Sequence, residues 1–210
     1  MAKGKILNLN TEQLLASLPR PESVPGFSSF IPLYEEMVKG APPECTIVEV
    51  GSWCGRSSIA MARAIIRSGK QIQFVCIDKW DFRDPKRVQG TIFEQHDFCL
   101  FDIWTEAISP FRPYVNVRAL QCDSSAAAAL FDSESVWFVY IDADHLFKSV
   151  FKDIKAWYPK VRFDGHIGGH DLADDIPGVE KAVRKFFGEK WKKWGQRSWL
   201  HTKAESVCKK

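Results

Sequence analysis

CTIVEVGSWCGRSSIAMARAIIRSG, residues 45–69, changes its pattern twice within one short stretch. The β-branched run CTIVEV reads as a strand closing on Gly51, and SWCGRSS as a loop carrying a second glycine, Gly55. Ser57 and Ser58 stand where they can cap a helix, and IAMARAIIRSG has helical spacing that stops at Gly69. Strand, glycine loop and helix follow one another, and the glycines let the backbone turn sharply and approach a ligand closely.

The unit repeats downstream. QIQFVCID (71–78) is a second strand ending in Asp78, and YVNVRALQCD (114–123) a third ending in Asp123. The alanine-rich SSAAAALF separates it from the strand VWFVYID (136–142). FKSVFKDIKAWYPKV (147–161) places Val150, Phe151, Ile154, Trp157 and Tyr158 at helical spacing, the turn Asp164-Gly165 follows, and HIGGHD (166–171) makes a short strand. PGVEKAVRKFF (177–187) opens a helix on proline, and KWKKWGQRSWLHTK (190–203) folds back as a final pair of strands. Upstream, Thr11 can cap the helix TEQLLASL, and FIPLYEEMV (30–38) is a helix ending at Gly40; residues 1–42 are expected to form a helical cover. Residues 81–112 are rich in aromatics without a period, and an insertion or lid over the sheet edge is expected there. Strands alternating with helices predict a parallel sheet covered on both faces.

At 210 residues, 45% of them hydrophobic and 13% aromatic, the chain is expected to fold as one domain. No apolar run approaches the roughly 20 residues of a membrane span, and MAKGKILNLNTEQ lacks a signal-peptide core, so a soluble cytoplasmic protein is expected. Cys45, Cys54, Cys76, Cys99, Cys122 and Cys208 contain no C-x-x-C pair and read as free thiols. The formal charge of +3 is small and the basic C-terminal region reads as a solvated face; neither membrane nor nucleic acid is an expected partner, and homo-oligomerisation stays open.

Ligands of parallel sheets bind beyond the carboxyl ends of the strands, where every polar cluster of this chain falls. The loop spacing is G-x-x-x-G, not the G-x-G-x-x-G of dinucleotide dehydrogenases. Asp78 follows Gly55 by 23 residues, near the offset at which an acid accepts hydrogen bonds from a ribose, which points to a nucleoside ligand; a turn residue is the alternative. In YIDADH, Asp142 and Asp144 are two apart and project to one side, with His145 next to them. GGHD brings His170 and Asp171 to the same end from the next strand.

Taken in order, VEVGSWCGRSS, CIDKW, CDSS, YIDADH, GGHD and PGVEKAV resemble the motifs of class I S-adenosylmethionine (SAM)-dependent methyltransferases. The narrower resemblance is to small-molecule O-methyltransferases with a D-x-D-H and G-H-D motif, with sugar (macrocin-type) O-methyltransferase-like and cephalosporin-hydroxylase-like relatives. The resemblance implies a Rossmann-like α/β fold, a seven-stranded mostly parallel sheet with an antiparallel last strand and helices on both faces. It implies SAM as cofactor, with Glu49, Gly51, Ser52, Gly55, Ser57 and Ser58 at the methionine end. Asp78 would hold the ribose, Asp123 and Ser124 the adenine, and Trp80 would cover its face. By the same resemblance Asp142 would bind a divalent metal, Mg²⁺ or another, with His170 and Asp171, and Asp144 or His145 would take the acceptor's proton. The sequence departs from relatives that have two acids, or Asp and Asn, where His170 and Asp171 stand; a cofactor-orienting Asp142 beside a merely hydrogen-bonded His170 therefore stays open. The implied reaction is methyl transfer to a hydroxyl of a small molecule such as a sugar or phenol. A non-catalytic nucleoside- or SAM-binding module and a metal-dependent hydrolase using Asp142, Asp144, His170 and Asp171 are the rival readings.

Overall fold

A computed structural model describes residues 10–81 and 99–204. Helix α1 (Thr11–Ser17) begins at Asn10, whose side chain accepts from the Gln13 amide at 2.9 Å while the Gln13 side chain accepts from the Asn10 amide. The reciprocal cap satisfies two orphan amides, so the cap is Asn10 and not Thr11. Helix α2 (Ile31–Gly40) buries Leu33, Tyr34, Met37 and Val38 on one face. Lys70 Nζ donates to the carbonyls of Val38, Lys39 and Ala41, and this cation closes the carboxyl end of the helix, where backbone donors run short.

Seven strands form one sheet: β1 (Glu44–Val50), β2 (Gln71–Asp78), β3 (Asn116–Gln121), β4 (Val136–Ile141), β5 (Val161–Gly169), β6 (Lys192–Trp194) and β7 (Ser198–Thr202), in the order β3-β2-β1-β4-β5-β7-β6. Pairing is parallel from β3 through β5, and β7 runs antiparallel to both of its neighbours. The intervening helices are α3 (Arg56–Ser68), α4 (Leu100–Ile108), α5 (Ser124–Ala128), α6 (Phe147–Trp157) and α7 (Pro177–Phe187). The expected Rossmann-like architecture is therefore the observed one.

Alternation along the strands divides the core between two faces. Ile47, Phe74, Cys76, Phe138 and Tyr140 pack under α2, α3 and α4, whereas Val48, Val75, Ile77, Val139 and Ile141 pack against α5, α6 and α7. A strand buried on both sides cannot alternate polar with apolar, which is why VWFVYI reads as a continuous apolar run. Asp164-Gly165, expected as a turn, lies inside β5. Asp164 adopts φ +60° where the β4–β5 register shifts between Val136 and Phe138, and its amide still reaches the Lys203 carbonyl at 2.8 Å. The dipeptide is thus a bulge within one longer strand. Of the segment 81–112, residues 82–98 lie outside the described residues; α4 follows them and buries Trp104 completely in the first core.

The chain places β1, β2 and β3 outward on one side of the sheet, then returns to β4 beside β1. That reversal opens a crevice beyond the carboxyl ends of β1 and β4, into which the loops after β2 and β5 also lead. Among the described residues, no helix is long and apolar enough to cross a membrane. The described cysteines Cys45, Cys54, Cys76, Cys99 and Cys122 are all free thiols; Cys208 lies outside the described residues.

Candidate active site

The loop after β1 can adopt its path because of its glycines. Gly51 has φ +93°, and a Cβ there would stand 2.2 Å from the Asp142 carbonyl oxygen, so the β1 and β4 loops touch backbone to backbone. Gly55, at φ +94°, is itself the N-cap of α3, and neither Ser57 nor Ser58 caps that helix as expected. Glu49 is buried beneath the loop and accepts from Tyr34 OH at 3.0 Å, Ser52 Oγ at 2.6 Å and Ser58 Oγ. Trp104 Nε1 donates to the same Ser58 hydroxyl at 3.0 Å. Asp78 closes the far side of the loop: Oδ2 accepts from the Trp53 amide at 2.9 Å and Oδ1 from the Trp80 amide at 2.8 Å. Each of these oxygens keeps a second lone pair for a ligand hydroxyl.

Beyond β3, Asp123 caps α5 by accepting from the Ser125 amide and hydroxyl, and it pairs with Lys79 and Lys152, each at 3.3 Å. Ser124 Oγ accepts from Trp157 Nε1 at 2.9 Å. Beyond β4 and β5 lies a cluster of acids and imidazoles. Asp171 Oδ2 meets His145 Nε2 at 2.8 Å, and its Oδ1 meets His170 Nδ1 at 3.1 Å. His170 Nε2 lies 2.8 Å from Ser29 Oγ, and its Nδ1 is 4.0 Å from Asp142 Oδ1. Asp144 turns back instead, with Oδ1 accepting from the amides of His145 at 2.7 Å and Leu146 at 3.1 Å, which ties it to the start of α6.

Most of the groups at these strand ends open onto one cavity of about 870 Å³. Gly51, Ser52, Ser57, Asp78, Trp80, Asp123 and Ser124 line one part of it, and Asp142, Asp144, His145, His170 and Asp171 another. Glu49, Gly55 and Ser58 do not reach it and act from beneath by holding the loop. Trp80 is 5% exposed and packs against Phe101 and Trp104, so its ring belongs to both the core and the wall.

The sequence profile of a methyltransferase domain family matches residues 48–172, more than half of the chain, from β1 to the end of the acid–imidazole cluster. The chain belongs to this methyltransferase family. No curated protein matches it in sequence. In structure the methyltransferase is similar to the O-methyltransferase NovP, with a TM-score of 0.61 at 17% identity over 84% of this chain and 80% of that one. It is also similar to cofactor-bound Rv0187 from MTB, with a TM-score of 0.60 at 13% identity over 96% and 94% of the chains. A SAM-dependent O-methyltransferase from Thermotoga maritima gives 0.60 at 10% identity over 93% and 71%. At such identities these similarities establish the fold.

Charge in the methyltransferase's cavity is unevenly held. Burial, then the nearby Asp171 and Glu49 carboxylates, push the Asp142 carboxyl well above its ordinary range. Burial acts on Asp171 in the same direction, but the hydrogen bonds from His145 and His170 outweigh it and hold that carboxyl low. For Asp144 too, burial is outweighed by bonds from Ser149 and the loop amides, and the carboxyl is lowered. A lowered carboxyl is a weak proton acceptor. Asp142, His170 and Asp171 offer ligand atoms that all lie within 4.8 Å of one another, a spread that fits a single cation, and its charge would relieve the Asp142–Asp171 repulsion.

Sequence reasoning missed Phe27, Ser29, Arg56, Asp153 and Arg197. All but Ser29 line the cavity, and Ser29 meets His170 directly. None directly follows the carboxyl end of a strand, so the positional rule that found the acids could not reach them. Asp153 sits at a buried position of α6, and its carboxyl is pushed up to about 6, chiefly by burial.

Proposed function

We propose that the protein is a SAM-dependent O-methyltransferase acting on a hydroxyl of a small molecule, with a divalent cation held by Asp142, His170 and Asp171. The observation that carries this reading is the single cavity: nucleoside-type acceptors at Asp78 and Asp123 open onto the same space as the acid–imidazole cluster. A site for hydrolysis alone has no need of the first set, and a binding module has no need of the second.

When bound, SAM supplies a methyl group on a sulfonium that departs as a neutral thioether. The chain supplies position. The rigid turn at Gly51–Trp53, braced by Glu49 and Asp78, fixes one wall, and the free lone pairs of Asp78 suit two vicinal ribose hydroxyls. Asp123, held anionic by Ser125, Lys152 and Lys79, offers an acceptor to a base amine. His145, oriented by Asp171, is the group placed to accept the proton of the attacking hydroxyl, while Asp144 holds the loop that carries it. A cation at the acid–imidazole cluster would lower the hydroxyl's pKa and orient it toward the methyl donor.

Acceptor selection falls in part to residues 24–30 of the N-terminal cover, of which Pro25, Gly26, Phe27 and Phe30 line the cavity. Arg56 Nε donates to the Val24 carbonyl at 2.8 Å and Nη1 to Ser28 Oγ at 3.1 Å, and Ser29 reaches His170, which together draw this strap across the cavity.

Calorimetry with SAM and with S-adenosylhomocysteine tests the reading. Both are expected to bind and to raise the melting temperature by mass action. Binding of NAD with no response to either SAM or its product would refute it.

A further inference from the structure

We infer that the methyl acceptor carries a carboxylate on an apolar body, and that Arg197, beside the acid–imidazole cluster, is the residue that selects it. The inference rests on the methyl-transfer reading above.

Arg197 lies between β6 and β7, and its carbonyl accepts from the Leu172 amide at 2.8 Å. That bond fastens this hairpin to the loop after β5, so the guanidinium stands at the cavity wall next to Asp171. Its charge is poorly met there. Nη2 is 3.8 Å from Asp171 Oδ1 and 3.7 Å from Asp175 Oδ1, both beyond a hydrogen bond. Asp171 is already engaged by two imidazoles, and Asp175 is 79% exposed, where solvent screens the pair. Nε is buried with no partner.

Arg56, which lines the same cavity, behaves differently, spending its Nε and Nη1 on the strap 24–30. A guanidinium has five N–H donors in a planar fork that matches a carboxylate. Among the described residues no group hydrogen-bonds the fork of Arg197, whose two carboxylate neighbours stay at 3.7 and 3.8 Å, and the cost of an unmet charged donor is recovered when an anion arrives. A neutral sugar would leave that fork with only these two carboxylates, neither within hydrogen-bond distance.

The neighbouring wall sets the rest of the ligand. Phe27, Phe30 and Ile176 line the cavity, and Phe27 is 72% exposed, an apolar ring at the rim with its centroid 6.4 Å from that of His170. A hydroxylated acid with an aromatic or similarly flat apolar body satisfies Arg197, Phe27 and the acid–imidazole cluster together.

The test titrates protein saturated with S-adenosylhomocysteine with 3- and 4-hydroxybenzoate and with the corresponding hydroxybenzamides. For at least one isomer, the acid is expected to bind at least about tenfold more tightly than its amide. In Arg197→Gln that preference is expected to shrink below about twofold, with affinity for S-adenosylhomocysteine unchanged. Should the glutamine variant fail to fold, Arg197→Lys serves instead, keeping the charge without the fork and losing most of the preference. Equal binding of acid and amide by the wild type, no binding of either acid, or a preference that survives substitution would overturn the inference. Wild-type protein that does not bind S-adenosylhomocysteine would instead bring down the methyl-transfer reading itself, so the two failures are distinct.

Discussion

His145 Nε2 lies 2.8 Å from Asp171 Oδ2, on the carboxylate whose other oxygen meets His170. One acid therefore orients two imidazoles that come from different strand ends, and substitution of either partner should have separable consequences.

His145→Ala is expected to leave affinity for S-adenosylhomocysteine within about twofold while lowering turnover by about 100- to 10,000-fold, the usual range for a positioned base. Asp171→Asn should lower turnover as well and also abolish the rise in melting temperature that the wild type gains from Mg²⁺ or Mn²⁺, because it removes a ligand. Thermal melts with and without EDTA distinguish the variants. A wild type indifferent to both metals and chelator would favour a metal-free reaction, a variant consistent with the partners on both ring nitrogens of His170.

Gly51→Ala should be severely destabilising. Its φ of +93° disfavours any side chain, and the new Cβ would meet backbone, the Asp142 carbonyl oxygen at 2.2 Å, which cannot swing aside. The expected loss is on the order of 3 kcal/mol or more, read from the midpoint of urea unfolding. A variant with an unchanged midpoint would show that the β1 and β4 loops are not locked together.

Asp153 gives a pH signature. Its folded carboxyl is raised from 3.8 to about 6, mainly by burial, partly opposed by Ser124 and reinforced by Asp123. For an acid raised in this way, the contribution to stability is full below the unfolded pKa and is lost as pH rises through about 6. Asp153→Asn removes that loss, so it should stabilise the protein by about 1–3 kcal/mol near neutral pH and by almost nothing near pH 4. Unfolding curves of both proteins across this range provide the check; a constant difference would show that the carboxyl does not titrate there.

Much of the site was legible because parallel sheets present their ligand groups at strand ends, and strand ends can be read locally. Gln71–Asp78 was recovered residue for residue, since its buried second half, Phe74–Ile77, leaves a continuous apolar run that the acid Asp78 directly follows. Asp142, His170 and Asp171 were grouped in advance by the family resemblance, and their ligand atoms lie within 4.8 Å of one another because β4 and β5 pair and each motif ends its strand. Glu49 was placed among the cofactor ligands, but its side chain points down into Tyr34, Ser52 and Ser58. A residue one position before the strand's end is indistinguishable in sequence whether it faces the ligand or the layer below.

Local pattern in the sequence was enough to determine the alternation of strands and helices, the glycine loop and the ordered acids, because each depends on near neighbours in the chain. Tertiary structure alone decided that Ser29 reaches His170 across 141 residues, that Asp171 is shared by two imidazoles, and that Arg197 arrives at the cavity from a hairpin near the end of the described chain. Those relationships depend on which faces pack together, and packing is a property of the whole sheet and its two layers of helices that no local window contains.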